Sequence, residues 1–325
     1  MSIPESFLVI VKCMTFNHHA YIEDAMNGFC MQKTDFPYLC IVMDDCGTDG
    51  EQEVIKNYVA EHFNMLSTEE TDDYVLNLCQ HKTNDNCYFA VFYLKYNHYH
   101  KKSKVPYYSR WQDNCKYIAY CEGDDYWIDA GKLQMQVDFL EKNEEYSMVF
   151  HGAEIKNELG VHCSLQCDNI QDREYSPNEV FERWVVPTAS ILYRKSVTEI
   201  KNSNNYKPLN GDIILILNCA KIGKLQGIGK KISVYRVQQN GVTYDSSLKK
   251  YRALRYPEHF KYIKENFPFV KRRIVNYKIA SSYLGCISVT NGIIKKIGLL
   301  FSAFFISPSC TVRTIAGIVK RKVLK

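Results

Sequence analysis

CEGDDYW, residues 121–127, sets three carboxylates, Glu122, Asp124 and Asp125, within four positions, with Gly123 among them and two large aromatics behind. Like charges this close repel, so the arrangement is unfavourable unless something neutralises it. The residues before it, Tyr117–Cys121 (YIAYC), read as a β-strand, and the acidic turn begins where that strand ends. Open α/β sheets bind ligands at the carboxyl ends of their strands. A divalent cation with hard oxygen ligands, Mg2+ or Mn2+, balances clustered carboxylates and keeps positions open for phosphate oxygens. CEGDDYW therefore reads as a metal–diphosphate site. The plainer alternative is an exposed acidic turn capping the next helix through Asp125 or Asp129.

Outward from this turn, strands and helices alternate. Phe7–Cys13 (FLVIVKC) is a near-continuous apolar run, as expected of a strand buried on both faces. Tyr21–Cys30 has helical spacing. Leu39–Met43 (LCIVM) is a second strand, closing on the turn-rich loop DDCGTDG, 44–50, and a helix follows over Gln52–Phe63. Leu66–Asn86 is polar and acidic and reads as an excursion. Cys87–Tyr96 is a third strand by composition, Lys132–Asn143 a helix, Tyr146–Phe150 another strand. Ser176-Pro177-Asn178-Glu179 has the form of a capped helix start. Ala189–Tyr193 reads as a strand, Asp212–Ala220 as a helix and Lys231–Arg236 as a late strand. The expected fold class is α/β, a mostly parallel sheet flanked by helices. Asp44 and Asp45 also follow a buried strand, so both acidic loops should open on one edge. A carboxylate there can accept hydrogen bonds from a nucleobase imide or ribose hydroxyls.

The chain of 325 residues is 46% apolar and 24% charged, which excludes a disordered protein and allows one large domain with an appendage. Thirteen cysteines, an odd number without any CxxC pair, point to free thiols in a reducing compartment. MSIPESFLVIVKCM lacks a basic n-region and cleavage site, so the expected location is cytoplasmic. Net charge is +5, but from Asp245 onward seventeen Lys/Arg face three Asp/Glu, net +14, which leaves residues 1–244 at −9. The expected boundary lies near 245, with 1–244 as the nucleotide-binding catalytic domain and 245–325 as a basic helical C-terminal region. Ile293, Ile294, Ile297, Leu300, Phe301, Phe304 and Phe305 form one helical stripe beside Lys295 and Lys296. The ten-residue apolar stretch Ile297–Ile306 falls short of the roughly 20 residues a bilayer requires. Such helices suit an anionic membrane surface; packing on the body as a helical hairpin is the alternative.

Taken together, MTFN (14–17), DDCGTDG (44–50), EGDD (122–125) and YWIDAGKLQMQVDFLEKN (126–143) resemble family-2 glycosyltransferases of the GT-A fold, in the bacterial subgroup with EGDDYW and a KLQxQVxFL helix. The resemblance covers about residues 5–243 and extends the α/β reading to a GT-A (Rossmann-like) sheet with a basic C-terminal extension. It implies that Thr15 and Asn17, with Asp44 or Asp45, hold the base. Asp124 would lie near ribose or sugar. Asp125 would ligate the metal, with Asp124 beside it and Glu122 close by. Gly211-Asp212 matches the later acidic motif, which makes Asp212 the general base. Tyr235-Arg236 matches a segment that closes over the diphosphate, with Gln238 where the family has histidine; Met14 stands in place of proline.

The implied activity is metal-dependent, inverting transfer of a sugar from a UDP-linked or other nucleotide-sugar donor. The acceptor would be a hydroxyl of a lipid-linked or polysaccharide precursor glycan of the cell envelope. The enzyme would sit in the cytoplasm, peripheral to the inner face of the plasma membrane. Inverting transfer needs one base facing the acceptor hydroxyl. A helix N-terminus lowers the pKa of Asp212, burial raises it, and a plain N-cap is the alternative. A non-catalytic nucleotide- or glycan-binding module is a second reading. A sugar-phosphate nucleotidyltransferase needs a glycine-rich phosphate loop after the first strand, and MTFNHHAYIED has no glycine. The tail's lysines interleave with aliphatic stripes, not stacking platforms, so no nucleic-acid partner is expected. His98 and His100 read as part of a basic surface loop and His18-His19 as a solvated helix start. Thr188 reads as a substrate contact or a strand start, and Tyr126 and Trp127 as walls of the sugar pocket or as packing under the metal loop, with packing preferred for Trp127.

Overall fold

The computed structural model describes residues 3–99, 101–160, 163, 165–200, 206–238 and 248–323, with side-chain surroundings up to 317. His100 and the expected boundary near 245 lie outside the described residues. The chain divides into two compact units. One comprises 1–175, 183–200 and 222–238; the other comprises 176–182, 201–221 and 239–325.

The first unit is built on one sheet. Its strands are β1 (Val9–Thr15), β2 (Tyr38–Asp44), β3 (Phe63–Glu70), β4 (Tyr74–His81), β5 (Cys87–Leu94), β6 (Tyr117–Tyr120), β7 (Tyr126–Trp127), β8 (Tyr146–Asn157), β9 (Arg173–Tyr175), β10 (Leu192–Arg194) and β11 (Lys224–Val237). The order is β3-β4-β5-β2-β1-β6-β10-β8-β11-β7, with β9 added against β11. The centre, β5-β2-β1-β6, is parallel throughout, as the buried apolar runs require. Beyond it β8 and β11 pair in parallel and the remaining ladders are antiparallel, so the sheet as a whole is mixed.

Helices α1 (Ile22–Cys30), α2 (Glu51–His62), α3 (Val105–Gln112) and α4 (Lys132–Lys142) complete this unit. Helix α1 buries Ile22, Ala25, Met26 and Phe29, and Phe29 meets Trp127 edge-on at 5.0 Å between centroids. Trp127 is 1% exposed and donates its indole N–H to the Ala189 carbonyl at 2.8 Å, so packing is its role. The ammonium of fully buried Lys132 lies 4.0 Å from the same ring and bonds Gln136 at 2.7 Å; burial pushes its pKa down to about 7.

Two expectations change. Leu66–Asn86 is no excursion: β3 and β4 form an antiparallel hairpin at the sheet edge. In place of a strand from Ala189, Thr188–Ser190 is a 3-10 turn and strand pairing starts at Leu192.

The second unit is helical: α5 (Pro177–Glu182), α6 (Gly211–Ile222, whose last residue belongs to the first unit), α7 (Lys249–Asn266), α8 (Arg272–Ile287), α9 (Ile293–Ile306) and α10 (Pro308–Val323). Ser176 caps α5, its hydroxyl accepting the Glu179 N–H at 3.2 Å. Phe181, Ile213, Leu217, Ile263, Phe267 and Val275 share its core. Thus α5 and α6, upstream of 245, are built into the same core as the C-terminal helices.

Gly28 makes the α1–β7 contact possible, because a Cβ there would stand 2.9 Å from the Trp127 backbone N and O. Backbone cannot step aside as a side chain can. Gly28→Ala is expected to cost about 1–3 kcal/mol by overpacking, read as a lowered urea midpoint at unchanged slope.

Candidate active site

The chain winds outward from β1 to β2 and β5 in one direction, then returns to place β6 on the other side of β1. The crevice between β1 and β6 is therefore the topological switch point, where neighbouring loops leave the sheet in opposite directions. At its carboxyl rim stand the residues after β1, after β2 and after β6.

Backbone hydrogen bonds lock these three segments together. The Cys121 N–H donates to the Lys12 carbonyl at 3.1 Å and the Gly123 N–H to Met14 at 3.2 Å, which carries the acidic loop along β1. The Asp45 N–H donates to the Thr15 carbonyl at 3.0 Å. A Cβ on Gly123 would land on the Thr15 hydroxyl and come 2.7 Å from its Cβ, so only glycine fits there. Between the first two loops, Asn17 accepts the Thr48 N–H through Oδ1 at 2.8 Å, and Asp49 accepts the His19 N–H at 2.9 Å. Asn17 (φ 58°) and Cys46 (φ 59°) are the non-glycine residues of positive φ among those described, and each lies on one of these loops.

The site carboxylates differ in surroundings. Asp44 is buried and accepts from Gln52 at 2.8 Å and from the Gly47 N–H at 3.2 Å; burial raises its pKa against those two bonds. Asp45 is buried too, accepting the His98 N–H at 2.7 Å and pairing with Lys104 at 2.6 Å. Asp125 accepts the Arg236 N–H at 2.9 Å. Burial first, then Asp124 and Glu122, push Asp125 well above the usual carboxylate range. Asp124 is less enclosed: its Oδ2 accepts from Gln238 at 3.2 Å and lies 3.8 Å from His18 Nε2. Half-buried Glu122 accepts the Asp125 N–H through its carbonyl at 3.2 Å.

Arg236 fastens the end of β11 to this loop. Its guanidinium donates to the Asp124 carbonyl at 2.8 Å, pairs with Asp24 of α1, and lies 4.4 Å from the Tyr126 ring and 4.9 Å from the Tyr21 ring. Tyr235, its neighbour, packs with Ile155 and Cys163 against the small core of Ala153, Leu165 and Cys167, because successive strand residues face opposite ways. Asp212 stands in the second unit as the second residue of α6, half-buried. Burial raises its pKa, while the Ile213 N–H and Arg252 lower it.

The expected base-side residues Thr15, Asn17, Asp44 and Asp45 thus share one rim with Glu122, Asp124, Asp125 and Arg236. Two expectations on histidines fail. His18 is no solvated helix start: its side chain is 13% exposed, with Nδ1 3.1 Å from the Thr15 hydroxyl. His98 is 1% exposed, its ring held by the Tyr96 carbonyl at 2.7 Å and the Tyr107 hydroxyl at 3.0 Å.

Sequence reasoning also passed over Glu51. In the first turn of α2 an acid reads as a simple partner of the helix dipole. Here it is fully buried, accepts from the Thr15 hydroxyl, and leaves Oε2 without a hydrogen-bond partner.

In residue chemistry the acidic loop suits a divalent cation: it carries three carboxylates, and the pKa of Asp125 is raised first by burial and then by the charges of Asp124 and Glu122. Among the described residues no group of three or more His, Cys, Asp or Glu is arranged so that it could hold a metal ion. Cations of this kind are commonly held by one or two carboxylates, with donor phosphates completing the shell.

No protein-family model matches the chain. Uncharacterised proteins of Mycobacterium bovis and Mycobacterium tuberculosis are 24% identical to it over 241 residues, 73% of this chain and 60% of theirs. The chain thus spans about 60% of the length of these curated relatives. Among solved structures, S. aureus TarS in complex with UDP-GlcNAc superposes with a TM-score of 0.57 at 14% identity, over 93% of this chain and 82% of that one. The mannosyltransferase PcManGT of Pyrobaculum calidifontis, in complex with GDP-Man and Mn2+, gives 0.52 at 12% identity, over 98% and 81%. At these identities the likeness establishes the fold, a mixed α/β sheet flanked by helices.

Glu51 sets a pH test. Burial is the largest cause that pushes its pKa up to about 7 from 4.5. The folded state thus holds this proton more tightly than the unfolded chain. Its contribution is full below pH 4.5 and is lost as pH rises through about 7, a change of about 3 kcal/mol at 1.36 kcal/mol per unit. Glu51→Gln should match the parent stability near pH 4.5 and exceed it at pH 8, measured by urea unfolding at both.

Proposed function

We propose that the chain is a nucleotide-sugar-dependent glycosyltransferase, inverting and hexosyl-transferring, of the family-2 type. The observation that carries this reading is the meeting of the 44–50 and 121–125 loops across Thr15 at the switch point. A nucleotide diphosphate and a cation share such a crevice in open α/β sheets. The fold likeness to TarS and PcManGT, solved with UDP-GlcNAc and with GDP-Man and Mn2+, supports it.

In this reading the base rests over Thr15, Asn17, Asp44 and Asp45, and the ribose or sugar near Asp124. Asp124 and Asp125 would hold Mg2+ or Mn2+, which supplies positive charge for the departing diphosphate. The structure supports a division of labour among the other residues. Arg236 and Gln238 bind the acidic loop from β11 and fix the direction of its carboxylates. Tyr235 and Arg236 belong to the segment that would close over the diphosphate. Asp212 is the group we assign as general base, taking the proton from the acceptor hydroxyl as the sugar bond forms. Burial adjusts it in the direction a base needs, since it raises affinity for the proton. The acceptor in this proposal is a hydroxyl of a lipid-linked or polysaccharide precursor glycan of the cell envelope, and the reaction takes place in the cytoplasm.

Calorimetric titration with UDP, with and without Mn2+, tests the donor site. Mn2+-dependent binding is expected for the parent and loss of that dependence for Asp125→Ala. Asp212→Asn should keep donor binding nearly intact and cut turnover by about 10² to 10⁴. Full activity in Asp212→Asn would remove the base assignment. UDP binding without hydrolysis or transfer of any UDP-sugar would favour a binding module instead.

A further inference from the structure

Helix α9 carries its apolar face outward. Ile293, Ile294 (82% exposed), Ile297, Phe301, Phe304 and Phe305 (79% exposed) all lie open to solvent. At 100° per residue they fall within an arc of about 120°. The opposite side anchors the helix, with buried Ala303 packed against Ala280 and Cys310, and with Tyr283, Leu284 and Ile306 around them. Core formation is thus complete without the outer arc. Val312 and Ile315 of α10 are exposed as well. An uncovered apolar face of this kind marks an interaction surface.

Charge identifies the partner. After Glu265 the remaining sixty residues hold eleven Lys/Arg and no Asp or Glu. Lys295 and Lys296 are in α9 itself, Arg313 in α10, and Lys320, Arg321 and Lys322 near the end. A second copy of the chain would set this cationic surface against itself. A nucleic acid would satisfy the cations and leave the phenylalanines and isoleucines in water. An anionic bilayer surface satisfies both, taking the apolar arc into its acyl boundary and the cations at its headgroups. The helix is fourteen residues long, about 21 Å at 1.5 Å per residue, and no helix of the described residues is long and apolar enough to cross a membrane.

We propose that the outward face of α9 lies flat in the interface of an anionic lipid bilayer, with Ile294, Phe301 and Phe305 inserted and Lys295, Lys296 and Arg313 on the headgroups. This surface is independent of the donor-site reading. Sedimentation of the full chain with vesicles tests it. Phosphatidylcholine vesicles with about 30% phosphatidylglycerol should bind at least about tenfold more tightly than phosphatidylcholine alone, with loss in high salt. The double variant Ile294→Asn/Phe305→Asn should weaken binding about tenfold or more at an unchanged melting temperature, since both positions are exposed. Lys295→Gln/Lys296→Gln should weaken only the anionic preference. Equal affinity for both vesicles, no binding to either, or full binding by Ile294→Asn/Phe305→Asn would each overturn the proposal. So would light scattering that shows a dimer dissolved by that double variant while vesicles go unbound.

Discussion

The short run of backbone hydrogen bonds from the acidic loop to β1, Cys121 to Lys12 and Gly123 to Met14, is the constraint on which the candidate site depends. It continues the β1–β6 pairing past the end of β6 and draws three carboxylates to the rim where Thr15 already holds Asp45. Only a residue without a side chain can occupy position 123, because the Thr15 hydroxyl fills the space. The local rule is steric, yet its consequence is electrostatic: acids from two loops, far apart in sequence, are forced into one crevice.

Such crowding is eased where an acid has a partner of its own. Lys104 neutralises Asp45, the Arg236 N–H binds Asp125, and Gln238 binds Asp124. The Arg236 guanidinium reaches Asp24 and two aromatic faces and donates to the Asp124 carbonyl, so it secures the loop's backbone. Buried pairs of this kind contribute little net stability, but removing one partner leaves a desolvated charge behind. The site is therefore held by a set of contacts that depend on one another.

The parallel centre of the sheet was legible because β1, β2, β5 and β6 are apolar on both faces, and a run such as LCIVM has few other readings. Both acidic loops were legible for the same reason, since each begins where such a run stops. The β3–β4 hairpin was not. β3 exposes most of its residues at the sheet edge, and Val75 blurs the alternation of Tyr74, Leu76 and Leu78. His18, Glu51 and His98 were missed because their burial comes from partners distant in sequence, Gly123 beside His18 and Asp45 beside His98 among them. Spacing along the chain carries no trace of such neighbours.

Gln238 gives the end of β11 a property that histidine would not. An imidazole facing Asp124 gains a proton as the medium falls through about pH 6.5. A primary amide keeps the same neutral charge across the whole physiological range. The contact from the last strand to the acidic loop accordingly carries no proton switch of its own, and the imidazole that does face Asp124, that of His18, comes from the loop after β1.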